Sequence, residues 1–292
     1  PIACVFKKLQ TVECMEPGQM RLVYLLITAE ITARFLGIVA LVECRKMLEE
    51  NDDLPVPKSI SGDFATRFKK STFGNWIHFA REGLRWLRDQ DSELVVPELR
   101  TLFYTENNKE TTAKLSLDKL VKTRNNISHD KIRASTRSEF EELCGEIQKE
   151  LITVLEEVSF LEDISLGYVS AIEVKKKRQE EPSFQHIIKK LSGASDEFEG
   201  DIPNFAAYRE SDAVIMKYED NHRYLNLDPL MVYEEKAGGA KDIFLFNGLT
   251  SPSRVEYSPC KQGKTFTSDK CSRASDIEKE IGHLLDLFSR KE

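Results

Sequence analysis

LVYLLITAEITARFLGIVALVEC, residues 22–44, is the stretch whose reading decides the fold. It is long enough to cross a bilayer, which takes about 20 apolar residues as a helix. Two ionisable residues stand near its middle, Glu30 and Arg34. An ionised side chain at that depth costs about 2.5–3.5 kcal/mol on the insertion scale. The two are spaced i,i+4, so on a helix they share a face and can pair. A nearly all-round apolar helix carrying one internal ion pair fits the centre of a soluble bundle. A buried central helix over Arg21–Glu50 is therefore predicted, ended by Asn51-Asp52-Asp53 and by Pro55 and Pro57. The rest of the chain offers no second span, and no membrane partner is expected.

Working outward, the first part of the chain keeps a helical character. Trp76, Ile77, Phe79, Ala80, Leu84, Trp86 and Leu87 predict a helix over Phe73–Gln90, and another is expected around Pro97–Tyr104. The polar run Thr105–Thr112 is a loop, after which Ser116 is placed as an N-cap with Asp118 in the first turn. Thr136-Arg137-Ser138-Glu139 has the form of a capping box. Behind it Phe140, Leu143, Ile147, Leu151, Val154, Val158 and Leu161 recur by threes and fours along one face.

After Gly167 the pattern changes. Val169–Val174 alternates as a strand, Lys175–Glu181 is a solvated charged turn, and Phe184–Leu191 is expected as a short helix. The runs AVIMKY, RYLNL, LMVYEE, DIFLF and RVEYS read as strands, with Gly238-Gly239 and Asn247-Gly248 as turn signals between them. Ala274–Phe288 returns to helix. The expected architecture is mainly α: a helical bundle over residues 1–168, then a smaller α+β domain over 169–292 acting as a sensor or interaction module.

Composition agrees with a folded chain: 292 residues of which 40% are hydrophobic, enough for one large domain or two ordinary ones. The net charge of −7 argues against non-specific nucleic-acid binding by the whole surface, yet leaves room for a local basic site. The six cysteines include no C-x-x-C pair and fit a reduced, cytoplasmic setting. The chain starts at Pro1, as expected of a piece of a longer protein, and its start lacks the pattern of a signal peptide.

Motifs of known chemistry are mostly missing. Gly263-Lys264-Thr265 resembles the end of a phosphate-binding loop, but Ser258 stands where the first glycine is required. No G-x-S-x-G, H-E-x-x-H or G-x-G-x-x-G is present. Cys260, Cys271, His222 and His283 have no recognised ligand spacing. Neither a metal nor a cofactor is expected.

One segment differs, Arg124-Asn125-Asn126-Ile127-Ser128-His129. It sits in a basic island running from Lys114 to Arg137: Lys114, Lys119, Lys122, Arg124, Lys131, Arg133 and Arg137 oppose only Asp118 and Asp130. On one regular helix Arg124 and His129 would lie about 7–8 Å apart along the axis and about 140° apart around it. They would not converge on one atom without a bend or a second copy of the chain.

The pattern R-N-x-x-x-H, at Arg124, Asn125 and His129 with a leucine-bearing approach (LDKLVKTRNNISHD), resembles the signature of the HEPN superfamily. The resemblance implies a helical bundle that dimerises, so that Arg and His of two protomers line one cleft and cleave RNA without a metal. It also implies the company of prokaryotic defence or toxin systems. Asp130 departs from the pattern, which often has a small residue after the His.

The chemistry is coherent. RNA carries its own nucleophile, the 2′-OH; a His moves a proton near neutral pH, and an Arg stabilises charge on phosphate oxygens. Arg124, Asn125 and His129 are thus the candidate catalytic residues. Lys119, Lys122, Lys131 and Arg133 are the candidate contacts to single-stranded RNA.

Two alternatives stand beside this. One is a non-catalytic dimerisation, nucleic-acid-binding and sensing module that serves an effector or regulatory protein. In the other, Arg124 is tied in a salt bridge and His129 caps a helix end. Whether Arg124 and His129 face solvent in a shared cleft or are buried in pairs separates the readings.

Overall fold

The structure is a computed structural model, which describes residues 1–51, 53–127, 136–179, 181–191, 201–203, 212–218, 224–235, 241–251, 254–260, 265–271 and 273–290. The helices are α1 (Ile2–Phe6), α2 (Gln19–Glu50), α3 (Lys58–Ser61), α4 (Phe64–Lys69), α5 (Phe73–Asp89), α6 (Thr112–Asn126), α7 (Arg137–Glu157) and α8 (Ala274–Phe288). The strands are β1 (Ile164–Lys175), β2 (Ser183–Lys190), β3 (Asp201–Pro203), β4 (Val214–Tyr218), β5 (Tyr224–Asn226), β6 (Met231–Glu235), β7 (Lys241–Leu249), β8 (Val255–Pro259) and β9 (Phe266–Thr267).

α2 is the axis of the fold. Its most apolar window is 83% buried by the rest of the chain, so the bilayer-length helix is a core helix. Its polar residues are satisfied within the helix where they can be. Thr28 and Thr32 donate their hydroxyls to the Tyr24 and Thr28 carbonyls at 2.7 and 2.8 Å, and Arg34 Nη2 meets Glu30 at 3.0 Å as the spacing requires. Glu43, also buried, accepts from the Val95 amide at 2.7 Å and pins the segment after α5. α5 lies close against α2 at Gly37, where a Cβ would stand 2.9 Å from the Trp76 carbonyl.

α7 begins with the expected capping box: Glu139 N–H donates to Thr136 Oγ1 and Thr136 N–H to the Glu139 carboxylate. Its inner face, including Cys144, Ile147, Leu151 and Val154, is buried.

Four local expectations are corrected. α6 starts a turn earlier than expected, with Thr111 as N-cap; Ser116 is buried within the helix and donates to Glu150 at 2.6 Å. Pro97–Thr101 forms only a 3-10 turn. The segment expected as a helix at Phe184–Leu191 is strand β2, paired antiparallel with β1 from Ser183↔Lys175 to Lys190↔Gly167. The adjacent Ile187 and Ile188 favour a pleated surface, and the exposed charged turn before them closes a hairpin. Asn247-Gly248 is not a turn between strands but a bulge inside β7, where the register shifts between Phe246 and Gly248. Gly238-Gly239 lies outside the described residues.

The strands form two antiparallel sheets, ordered β3-β2-β1-β4-β5 and β6-β7-β8-β9. The division expected at 168/169 falls inside β1. Aromatic contacts join the two halves across it: Phe64 of α4 stacks on Phe288 of α8 at 4.5 Å, and Phe68 on Phe246 of β7 at 4.2 Å. One hydrophobic cluster runs from Cys4 to Phe288, while the far face of the five-stranded sheet keeps a small cluster of its own around Val169 and Ile215. Polar anchors follow the same path. Arg45 of α2 pairs with Glu280 of α8 at 2.7 Å, and Arg273 holds Asp228 at 2.7 and 3.3 Å.

Candidate nucleic-acid interface

α6 owes its position to its apolar stripe. Ala113, Leu117 and Leu120 are buried against the bundle, and the opposite face is left to solvent. Its last turn carries the motif. The cap residue Ile127 is extended (φ −89°, ψ 101°), so the helix stops at Asn126, before His129 is reached. The single-helix geometry that kept Arg124 and His129 apart therefore does not apply, and the inference of a second copy from that spacing loses its premise. His129, Lys131 and Arg133 lie outside the described residues.

Arg124 is exposed in the last turn of α6, where a cation also suits the negative end of the helix dipole. Among the described residues it makes no ion pair. Asn125 is exposed beside it and lines a groove of about 490 Å³ between α6 and the α4–α5 edge. Asp118, Val121 and Lys122 complete the α6 wall; Arg67, Gly74, Ile77, His78 and Arg81 form the other.

The groove is cationic on balance, with Arg67, Arg81 and Lys122 against Asp118. Its charges are partly engaged. Asp118 meets Lys114 at 2.9 Å, Arg81 meets Glu82 at 2.8 Å, and Arg67 donates to Asn75 Oδ1 at 3.1 Å. His78 is half-buried, with Nε2 3.1 Å from the Ser59 carbonyl. A carbonyl only accepts, so Nε2 carries the proton there. Burial, with Arg67 next, lowers the His78 pKa, which favours the neutral ring near pH 7.

Of the two expected RNA contacts among the described residues, Lys119 and Lys122, Lys122 lies on this groove. Lys119 points to the other side of α6 and pairs with Glu150 of α7 at 2.8 Å. Sequence reasoning missed Arg67, His78 and Arg81. His78 and Arg81 are three apart on a strongly amphipathic helix, so a shared face was legible; what that face meets was not.

Among the described residues, no group of three or more His, Cys, Asp and Glu is placed to hold a metal ion. The arrangement can bind an anionic backbone through Arg67, Arg81 and Lys122, with Asn125 offering both donor and acceptor. No family model matches the chain, and no curated protein or solved structure matches it.

Proposed function

We propose that this chain is a HEPN-like, metal-independent endoribonuclease of a prokaryotic defence or stress system, acting in the cytoplasm as a homodimer. Single-stranded RNA lies along the α5–α6 groove. Arg124 stabilises charge on the scissile phosphate, and His129 moves the proton of the attacking 2′-OH or of the leaving 5′-oxygen. Asn125 positions the phosphate or the imidazole. The observation that carries the reading is the exposure of Arg124 without an ion pair among the described residues, which is the state a substrate-binding arginine needs. The adjoining cationic groove supports it.

The test is single-stranded RNA incubated with purified protein in EDTA, with His129→Ala and Arg124→Ala in parallel. Cleavage leaving a 2′,3′-cyclic phosphate is expected. His129→Ala should lose about 10²–10⁴-fold in rate. Arg124→Ala should lose about 10²–10³-fold. Cleavage abolished by EDTA, or unchanged in His129→Ala, overturns the mechanism.

A second reading is a non-catalytic nucleic-acid-binding and sensing module of a larger defence protein. A ligand-sized cavity beside α2 favours it. Under that reading no RNA is cut, and the two variants bind RNA as the wild type does.

A further inference from the structure

A cavity of about 650 Å³ opens between α1, α2 and the end of β8, apart from the α5–α6 groove. That size suits a small organic molecule. Its walls are largely apolar, with Val5, Tyr24, Ile27, Ile31 and Pro259 among them. Of the polar residues that also line it, among them Thr11, Glu30, Ser258 and Thr265, Arg34 differs in being only 4% exposed.

Among the described residues Arg34 has one partner, Glu30, reached through Nη2 at 3.0 Å. Its Nε and Nη1 are buried and have no hydrogen-bond partner among the described residues. Arginine stays protonated in proteins, so this is a charged group with unsatisfied donors in an apolar setting. Such donors are costly unless something accepts from them. Burial, set only partly against the attraction of Glu30, draws the Arg34 pKa down. A structural role alone does not account for the arrangement, because the Glu30 pair uses one nitrogen only. Two further cations, Lys7 and Lys8, are exposed on the cavity lining contributed by the N-terminal segment.

We infer that this cavity binds a small organic anion, a carboxylate or phosphomonoester, whose charged group accepts from Arg34 while its apolar body lies against Tyr24, Ile27 and Ile31. Lys7 and Lys8 draw the anion in and face any further negative charge. Glu30 stays on Nη2 and orients the guanidinium. The site is independent of Arg124 and of RNA cleavage.

The experiment is calorimetric titration of the full chain with phenyl phosphate and with benzoate, each against the neutral benzamide. At least one anion should bind saturably with one site per chain, and benzamide should not. Charge-assisted hydrogen bonds of this kind are worth enough that Arg34→Met should weaken binding about tenfold or more. Lys7→Gln with Lys8→Gln, at exposed positions, should weaken it about two- to fivefold and flatten its salt dependence. Ile27→Trp, which fills the cavity from a half-buried position, should abolish it; this variant and the double lysine variant decide the matter if Arg34→Met does not fold. Arg124→Ala should bind as the wild type does, so failure of the ribonuclease reading leaves this result standing. Absence of binding by both anions at millimolar concentration overturns the proposal, as does undiminished binding by Arg34→Met or Ile27→Trp.

Discussion

Glu43 shows at the scale of one residue how burial sets pH dependence. It is 2% exposed on α2 and is pushed up to about 7, chiefly by desolvation, against the partial support of the Val95 amide. In the unfolded chain it titrates near 4.5. Between these values the folded state holds the proton more tightly than the unfolded state, so Glu43 contributes stability below about pH 4.5 that is lost as pH rises through about 7. The size of that loss is on the order of 3 kcal/mol. Glu43→Gln keeps an oxygen for Val95 and removes the titration. Urea denaturation at pH 5 and pH 7.5 should show a weaker dependence in the variant and a gain in stability at the higher pH. Equal pH dependence in both proteins would count against this account. The sequence marks Glu43 only as a charge inside an apolar helix. Arg124 is the converse: its residue type and motif were legible, while its exposure came from the packing of α6.

Elements were legible wherever a local code operates. The Thr136–Glu139 box and the apolar steps behind it place α7, because capping and helical periodicity need only neighbours in sequence. β2 was misread as a helix because a short run such as FQHIIKKL is ambiguous until a partner strand takes up its amides, and β1 does so here. Gly248 is similar. It has φ +142°, and a Cβ there would stand 2.9 Å from the Lys69 carbonyl at the end of α4. Gly248→Ala therefore combines backbone strain with a clash against backbone that has little room to move, and should cost about 2 kcal/mol or more. Gly145→Ala, inside α7 with nothing within 4 Å of the added carbon, should gain about 0.5–1 kcal/mol from helix propensity. Thermal unfolding of the two variants separates the cases; a neutral Gly248→Ala would show that the close approach is not maintained.

At the scale of the molecule, the hydrophobic core crosses the place where the sequence changes character. The exposed turn at 176–179 joins β1 to β2, and both strands stay paired through eight residue positions of register. Trypsin should cut there, giving two bands on a denaturing gel. In native gel filtration the pieces should remain together, held by the β1–β2 ladder and by the Phe64–Phe288 and Phe68–Phe246 stacks. Elution of two separate folded pieces would instead support the two-unit organisation that the composition shift suggests.

By itself the sequence determined the helical first half, the buried nature of α2, the capped start of α7, most strands and the final helix, because those depend on periodicity, caps and turn chemistry over a few neighbouring residues. It also singled out Arg124 and Asn125 by spacing. Only the tertiary structure decided that α8 and β7 complete the core of the helical half, that Arg67, His78 and Arg81 face Lys122 and Asn125, and that Arg34 lines a cavity and keeps two buried nitrogens without a partner among the described residues. Those facts are juxtapositions of residues distant in the chain. They arise from the burial of aromatic surface between elements, for which no local pattern exists.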